Sequence, residues 1–141
     1  MANTKQIEHD AMQMLLAGAH PTLETLRAQF ERSYVSERNF TGLGFFTTFE
    51  VREPYSRLDP PNRIVIDDVC ADVAGLETGC GFVLFVDDGL LGTLECHLWG
   101  DNALPKDAQY DRLFYIHQPN PPGIAETANR DMTSLNGKIA G

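Results

Sequence analysis

Two side chains that could take part in acid–base or metal chemistry, Glu95 and His97, lie two positions apart. They belong to LLGTLECHLW (90–99), whose alternation of apolar and polar residues is typical of a β-strand, and residues i and i+2 of a strand project from one face. A carboxylate and an imidazole placed in this way could form a general acid–base pair or half of a metal site. No nucleophile or third ligand follows at a fixed spacing, so an exposed polar stripe beside Trp99 is the alternative interpretation.

The densest group of carboxylates is formed by Asp67, Asp68 and Asp72, which offer the oxygen ligands that Mg²⁺ and Ca²⁺ prefer. The fixed alternating ligands and the distant glutamate of a calcium-binding loop are missing from the sequence. The pattern therefore favours solvated acids at a strand end, with a metal site at these three residues as the alternative. No cofactor-binding motif is present in the sequence, so we expect no cofactor.

The three cysteines, Cys70, Cys80 and Cys96, form no CxxC pair. An odd number without that spacing favours neither a disulfide framework nor a structural zinc site, and reduced thiols in a cytoplasm fit best. Strand alternation sends Cys96 and His97 to opposite faces, which argues against a nucleophilic dyad made of these two residues.

The charge balance narrows the classes of partner. Eleven basic and twenty acidic residues give a formal charge of −9, which disfavours nucleic-acid binding and allows either a basic protein partner or a charge that serves solubility alone. No apolar run approaches the roughly 20 residues that span a bilayer. The charged N-terminus also lacks the apolar core of a signal peptide, so a cytoplasmic location is expected.

The elements that must position these residues follow from the periodicity. Apolar residues at helical spacing predict one helix over 4–17 and a second over 20–33, with Pro21 at a first helical position. Alternation then replaces helical spacing and predicts strands, over 43–51, 63–73, the 80–98 hairpin and 112–118. In the first of these strands, Leu43, Phe45, Phe49 and Val51 share a face. We predict an α+β fold in which two N-terminal helices pack on an antiparallel sheet of about five strands.

The chain is predicted to form a single domain over residues 1–118, followed by a C-terminal tail over 119–141. The tail is rich in Pro, Gly, Asn and Thr, which is typical of irregular structure. Its apolar residues offer a way to dock on the domain, through Ile124, Met132, Leu135 and Ile139.

The 80–98 hairpin can close in two registers. A two-residue loop, Asp88-Gly89, pairs Asp87 with Leu90, whereas a three-residue loop starting at Asp87 pairs Val86 with Leu90. We favour the longer loop because it gives a wholly apolar face and sets Cys80 opposite Cys96. That apolar face comprises Cys80, Phe82, Leu84, Val86, Leu90, Leu94, Cys96 and Leu98. The opposite, mixed face comprises Val83, Phe85, Leu91, Thr93, Glu95, His97 and Trp99.

Three stretches carry a resemblance to a known group of proteins: AGAHP (17–21), FTGLGFFTTFEV (40–51) and IDDV (66–69) followed by GCGFVLFVDDGLLGTLEC (79–96). This pattern resembles small uncharacterised bacterial single-domain proteins with a G-x-G-F hairpin, an acidic-Gly turn and a following Leu-Glu. The resemblance implies a soluble bacterial protein without an assigned activity, and some similar proteins look like immunity proteins that block a toxin. Such relatives often carry Trp-Pro after the hairpin, where this chain has WGDNALP.

Together these patterns predict a non-enzymatic, immunity-like protein that binds a basic, toxin-like partner or a second copy of itself as a homodimer. The expected binding residues are Thr93, Glu95, His97 and Trp99, since an aromatic ring among charges suits protein recognition. The alternative is a small enzyme or metal-binding domain organised around Glu95, His97 and the aspartates at 67, 68 and 72.

Overall fold

The two N-terminal helices begin where side chains cap their first turns. In the computed structural model, which describes residues 1–100, 103–117 and 125–139, α1 spans Thr4–Leu15 and α2 spans Pro21–Glu31. The Asn3 side chain accepts a hydrogen bond from the Gln6 N–H (3.0 Å), and His20 Nδ1 accepts one from the Thr22 N–H (3.1 Å). These bonds satisfy N–H groups that have no partner within the helix. Both predicted helices are confirmed.

The strands form one antiparallel sheet, and the described residues contain seven of them rather than the expected five. β1 and β7 were not anticipated, because SYVSERNF is a polar edge strand with weak alternation and β7 is only three residues long. Across the sheet the order is β1-β2-β5-β4-β3-β6-β7. The strand bounds are β1 Ser33–Phe40, β2 Gly44–Val51, β3 Ile64–Val73, β4 Cys80–Asp87, β5 Leu90–Leu98, β6 Tyr110–His117 and β7 Ala125–Thr127.

The hydrophobic core lies between one face of this sheet and the helices. Its helical part includes Ile7, Leu15 and Leu26, and its sheet part includes residues that alternate along the central strands. These are Phe45, Phe49, Ile66, Val69, Phe82, Leu84, Leu94, Cys96 and Leu98, all buried. Burial of this continuous apolar face is the main force that holds the helices on the sheet.

The β4–β5 hairpin closes with the shorter loop, so the three-residue loop is wrong. Asp88 and Gly89 both have positive φ (54° and 72°), as in a type I′ turn, and Asp87 pairs with Leu90. A bulge then makes Gly92 an extra residue, so that Phe85 pairs with Thr93. The bulge restores the predicted faces beyond it, and the face expected to be apolar is buried from Cys80 to Val86 and from Leu94 to Leu98.

Four details of the predicted faces are corrected. Leu91 lies before the bulge, pairs with Val86 and is buried, whereas Leu90 is only half-buried. Cys80 pairs with Leu98, and Cys96 pairs with Phe82, so the two cysteines are diagonal neighbours rather than directly opposed. Leu43 is 63% exposed because it lies in the turn before β2, which begins at Gly44. A hydrogen bond from the Thr41 N–H to the Gly44 carbonyl closes this turn.

The C-terminal segment is not wholly irregular. Residues 125–127 form β7 beside β6, and a third helix, α3, spans Met132–Ile139. Leu135 and Ile139 are 3% and 4% exposed, so α3 packs on the core, and Met132 packs against it partly buried. Ile124 lies outside the described residues. The helix layer therefore contains a C-terminal helix that the sequence did not predict.

The helices of the described ranges are short, and none combines the length and the apolar composition needed to cross a bilayer.

Candidate functional site

The face of the sheet opposite the helices carries the predicted binding residues. We call it the open face and define it by side chains that point away from the core on β2, β5, β4 and β3: Phe46, Thr48, Thr93, Glu95, His97, Val83, Phe85 and Val65. All of them are half-buried, and none belongs to the hydrophobic core. Among the described residues the helices pack on the opposite, core side of the sheet and none packs on this face.

Glu95 stands near the middle of the open face between apolar neighbours. Phe46 of β2 is its partner on one side and Val83 of β4 on the other. No cation of the described residues forms an ion pair with its carboxylate. A half-buried carboxylate flanked by apolar side chains retains an unused charge that a basic group on a partner could neutralise.

His97 and Trp99 lie together over a glycine. Gly44 and Gly81 are the residues opposite His97 on the two neighbouring strands. A Cβ added at Gly81 would lie 2.9 Å from His97 Cε1 and 3.4 Å from Trp99 Nε1, so the missing side chain is what lets both rings pack close to β4. The Trp99 backbone is also held, since its N–H donates to Gly79 O (2.9 Å) and its carbonyl accepts from the Thr78 hydroxyl.

The structure thus brings Thr93, Glu95 and His97 to the open face, as the strand period predicts, and Trp99 lies at its margin, directly after β5. Glu95 lies between Phe46 and Val83, while the His97 ring lies over Gly81 beside the indole. Three surface cavities, of about 760, 580 and 400 Å³, are lined by neither Glu95 nor His97. The arrangement is a broad mixed surface, which suits contact with another protein surface better than the enclosure of a small substrate.

The three aspartates of β3 are each engaged by a cation from a different part of the chain. Arg130 contacts Asp68 through two bonds of 2.9 Å, with side chains only 6% and 15% exposed. Lys138 of α3 donates to Asp67 (2.6 Å), and Arg112 of β6 donates to Asp72 (3.2 Å). Their charges are therefore used within the protein.

Arg130 does more than neutralise Asp68. Its Nη1 also donates to the carbonyls of Met14 (3.0 Å) and Ala17 (2.7 Å), at the C-terminal end of α1. Tyr115 donates to the same Met14 carbonyl (2.7 Å), and its ring lies 5.3 Å from the guanidinium. This arrangement joins the C-terminal segment, β3 and α1.

Within the described ranges, no group of three or more His, Cys, Asp or Glu side chains is placed to hold a metal ion. The cysteines are free and buried. Burial raises the pKa of the Cys70 thiol to about 12, and hydrogen bonding to Cys80 together with burial raises the pKa of Cys96. A raised thiol pKa lowers the thiolate fraction, which makes Cys70 and Cys96 poor nucleophiles.

Sequence reasoning missed two buried polar side chains. Glu8 of α1 is 5% exposed, forms two bonds with Arg38 of β1 (2.8 and 2.9 Å) and accepts from the Thr47 hydroxyl. Gln29 of α2 is 1% exposed and bonds the backbone around the β4–β5 turn, accepting from Leu91 N–H (2.8 Å). Their position on the apolar stripe of a helix was the signal, since a buried polar group requires partners.

Phe46 was also missed as a member of the open face. Alternation already assigned Phe45 and Phe49 to the core, and the same alternation sends Phe46 to the other side.

Comparison with known proteins found no match to this chain among protein-family models, curated proteins or solved structures.

Proposed function

We propose that the protein is a non-enzymatic binding protein that recognises another protein through the open face. The observation that carries the proposal is a sheet face on which no described helix packs and which combines half-buried Phe46, Val83 and Phe85 with the unpaired Glu95. Covering partly exposed apolar side chains with a partner stabilises the complex by about 25 cal/mol per Å² of apolar surface buried. Trp99, at the margin of the face, is the type of residue most often found at binding hot spots.

The proposed partner is a basic protein. The chain carries a formal charge of −9, and a partner of opposite charge would be steered towards it. The resemblance to immunity-like bacterial proteins points to a toxin as the partner class. Free, buried thiols support placing the protein in a reducing compartment such as a bacterial cytoplasm.

Site-specific photo-crosslinking tests this proposal. Benzoylphenylalanine would replace Thr93 on the open face and, as the control, Thr133, which is exposed on α3. After irradiation in cells of the source organism, we expect position 93 to capture one discrete protein that position 133 does not. Equal capture at both positions, or none at position 93, would contradict the proposal.

The captured protein would then be purified and its affinity measured. We expect Glu95→Lys and Trp99→Ala each to weaken binding at least tenfold, since the first reverses a charge and the second removes an aromatic anchor. Thr133→Ala is the control that leaves affinity unchanged. Capture of a second copy of this chain would instead identify a homodimer formed through the same face.

A further inference from the structure

A groove of about 760 Å³ lies between α1, α2 and β1, on the helix side of the sheet and away from the open face. Its apolar walls include Leu16, Phe30, Val35 and Phe49, with the Phe30 ring edge-on to the Phe49 ring at 5.8 Å. Gln13 and other exposed polar side chains line its rim. The groove therefore has room and apolar contact for side chains that the described part of the chain does not supply.

β1, which forms one side of this groove, is an edge strand. In the described part of the chain it pairs with β2 alone. The Arg52 N–H donates to the Arg32 carbonyl (2.9 Å), which makes these two residues a hydrogen-bonded pair just before β1. Hydrogen-bonded and non-hydrogen-bonded pairs alternate along an antiparallel ladder. Ser33 and Val35 consequently direct their backbone N–H and C=O groups away from β2, towards the free edge.

The free edge and the groove meet at the same two residues. Ser33 and Val35 line the groove, and Val35 points to the core side together with its partner Phe49. A strand added at this edge would place the residues opposite Ser33 and Val35 on that same side. We propose that the edge of β1 binds an extended segment of a partner protein by strand addition, with alternate apolar side chains of the segment entering the groove.

The strand itself limits the length of the segment. The register shifts between Val35 and Glu37, so that Ser36 is an extra residue that interrupts the ladder before it resumes at Glu37. Bulges and charges protect an edge strand against unwanted pairing, and β1 carries both only beyond Val35. The segment thus pairs with a short stretch centred on Tyr34.

The charges beside the groove indicate what flanks the apolar residues of the segment. Glu31 and Glu37 are exposed at either end of the free edge, without an ion pair to any described residue. Arg27 in the groove wall is already bonded to the carbonyls of Leu16 and Gly18. Arg32 is bonded to two backbone carbonyls, and Arg52 lies over the Tyr34 ring. The charges left unpaired are negative, so we expect the bound segment to carry lysine or arginine on both sides of its apolar-x-apolar core. A second copy of this chain is acidic and would be repelled by these charges, so it does not fit as the partner.

Selection from a phage-displayed random peptide library against the full chain tests this proposal. We expect enriched peptides with apolar residues at alternate positions and flanking basic residues. A selected peptide would then be N-methylated at each position in turn. Methylation should weaken binding about tenfold or more at every second position, where the peptide N–H pairs with β1, and less than threefold at the others. Enriched peptides with helical i, i+3, i+4 spacing, or a methylation scan without alternation, would overturn strand addition.

Amide hydrogen exchange locates the bound peptide on the protein. In the free protein the amides of Ser33 and Val35 should exchange fast and that of Tyr34 slowly, because only the Tyr34 amide points towards β2 and is hydrogen-bonded to it. Saturating peptide should slow Ser33 and Val35 at least tenfold and leave Thr93 unchanged. Protection at Thr93 without protection at Ser33 and Val35 would overturn this site while leaving the proposed function of the open face intact.

A groove-blocking variant provides an independent check. Gln13→Trp places a large ring at the groove rim, and Lys5→Trp places the same ring on an exposed part of α1 that does not line the groove. We expect the first change to weaken the selected peptide at least tenfold and the second to have no effect. Equal affinity for the two variants would contradict binding in the groove.

Discussion

The carboxylates of β3 and those of β1, β2 and β5 differ in what surrounds them. Asp67, Asp68 and Asp72, close together in the sequence, are each paired with a cation of β6 or the C-terminal segment. Glu37, Glu50 and Glu95 lie on three separate strands, and no ion pair engages them within the described ranges. In this protein the acids that are dense in the sequence are used within the fold, whereas the dispersed acids remain free for a partner.

The largest effect is expected at Asp68, the most buried of the paired aspartates. Asp68→Ala would leave Arg130, 6% exposed, without its counter-charge. We expect the free energy of unfolding to fall by about 3–5 kcal/mol, the range for breaking one side of a buried pair. Urea unfolding followed by circular dichroism measures it. Glu95→Ala is the control, with an expected change within about 0.5 kcal/mol. Similar losses for both variants would remove the distinction between paired and free acids.

Two glutamines extend the comparison to uncharged groups. Gln29→Ala would leave buried partners unsatisfied, since its Nε2 donates to Ser56 O (2.7 Å) and Gly89 O (3.0 Å). We expect a loss of about 1–3 kcal/mol. Gln13→Ala removes an exposed side chain on α1 and should cost little. Thermal unfolding of the two variants side by side measures the difference, and equal melting temperatures would show that the Gln29 bonds contribute nothing.

The exposed end of the comparison is tested at Asp72. Its side chain and that of Arg112 are 48% and 50% exposed. Asp72→Asn should therefore destabilise the protein much less than Asp68→Ala does, because solvent screens an exposed pair and ordering it costs entropy. The loss should also shrink in 1 M NaCl, whereas the loss in Asp68→Ala should persist. A loss of stability at Asp72 that does not change with salt would contradict the view that solvent screens this ion pair.

The smallest effect concerns acid. Hydrogen bonds from Ser134, and then the contact with His117, lower the pKa of Asp131, which precedes α3. The unfolded chain binds this proton more readily, so Asp131 stabilises the fold above its unfolded pKa of about 3.9 and loses that effect as pH falls through the lower folded pKa. Asp131→Asn should flatten the pH dependence of stability below about pH 4. If the dependence of stability on pH were the same in the variant, Asp131 would not act as the N-cap of α3.

How far the sequence predicted the fold depends on the range of the interactions involved. Alternation placed Phe82, Leu94 and Cys96 in the core, although the predicted loop was wrong, because one extra residue at Gly92 compensated for the shorter turn. Long-range pairs were beyond prediction. Arg130 meets Asp68 across 62 positions, and only the folded chain brings them together. The free edge of β1 was likewise beyond prediction, because an edge strand can be recognised only when the order of the strands in the sheet is known.

The β4–β5 turn has a practical consequence for labelling the protein. Short hairpin turns are common places to insert an epitope tag, but here Gly89 O accepts from Leu58 N (3.0 Å) and from Gln29, so the tip is enclosed by its neighbours. A tag there would pull both away. The connection after β3 is the better insertion point, since Ala74 and Glu77 are both exposed there. A fluorophore belongs at Glu77 rather than at Gly75, because the φ of 82° at Gly75 disfavours any side chain.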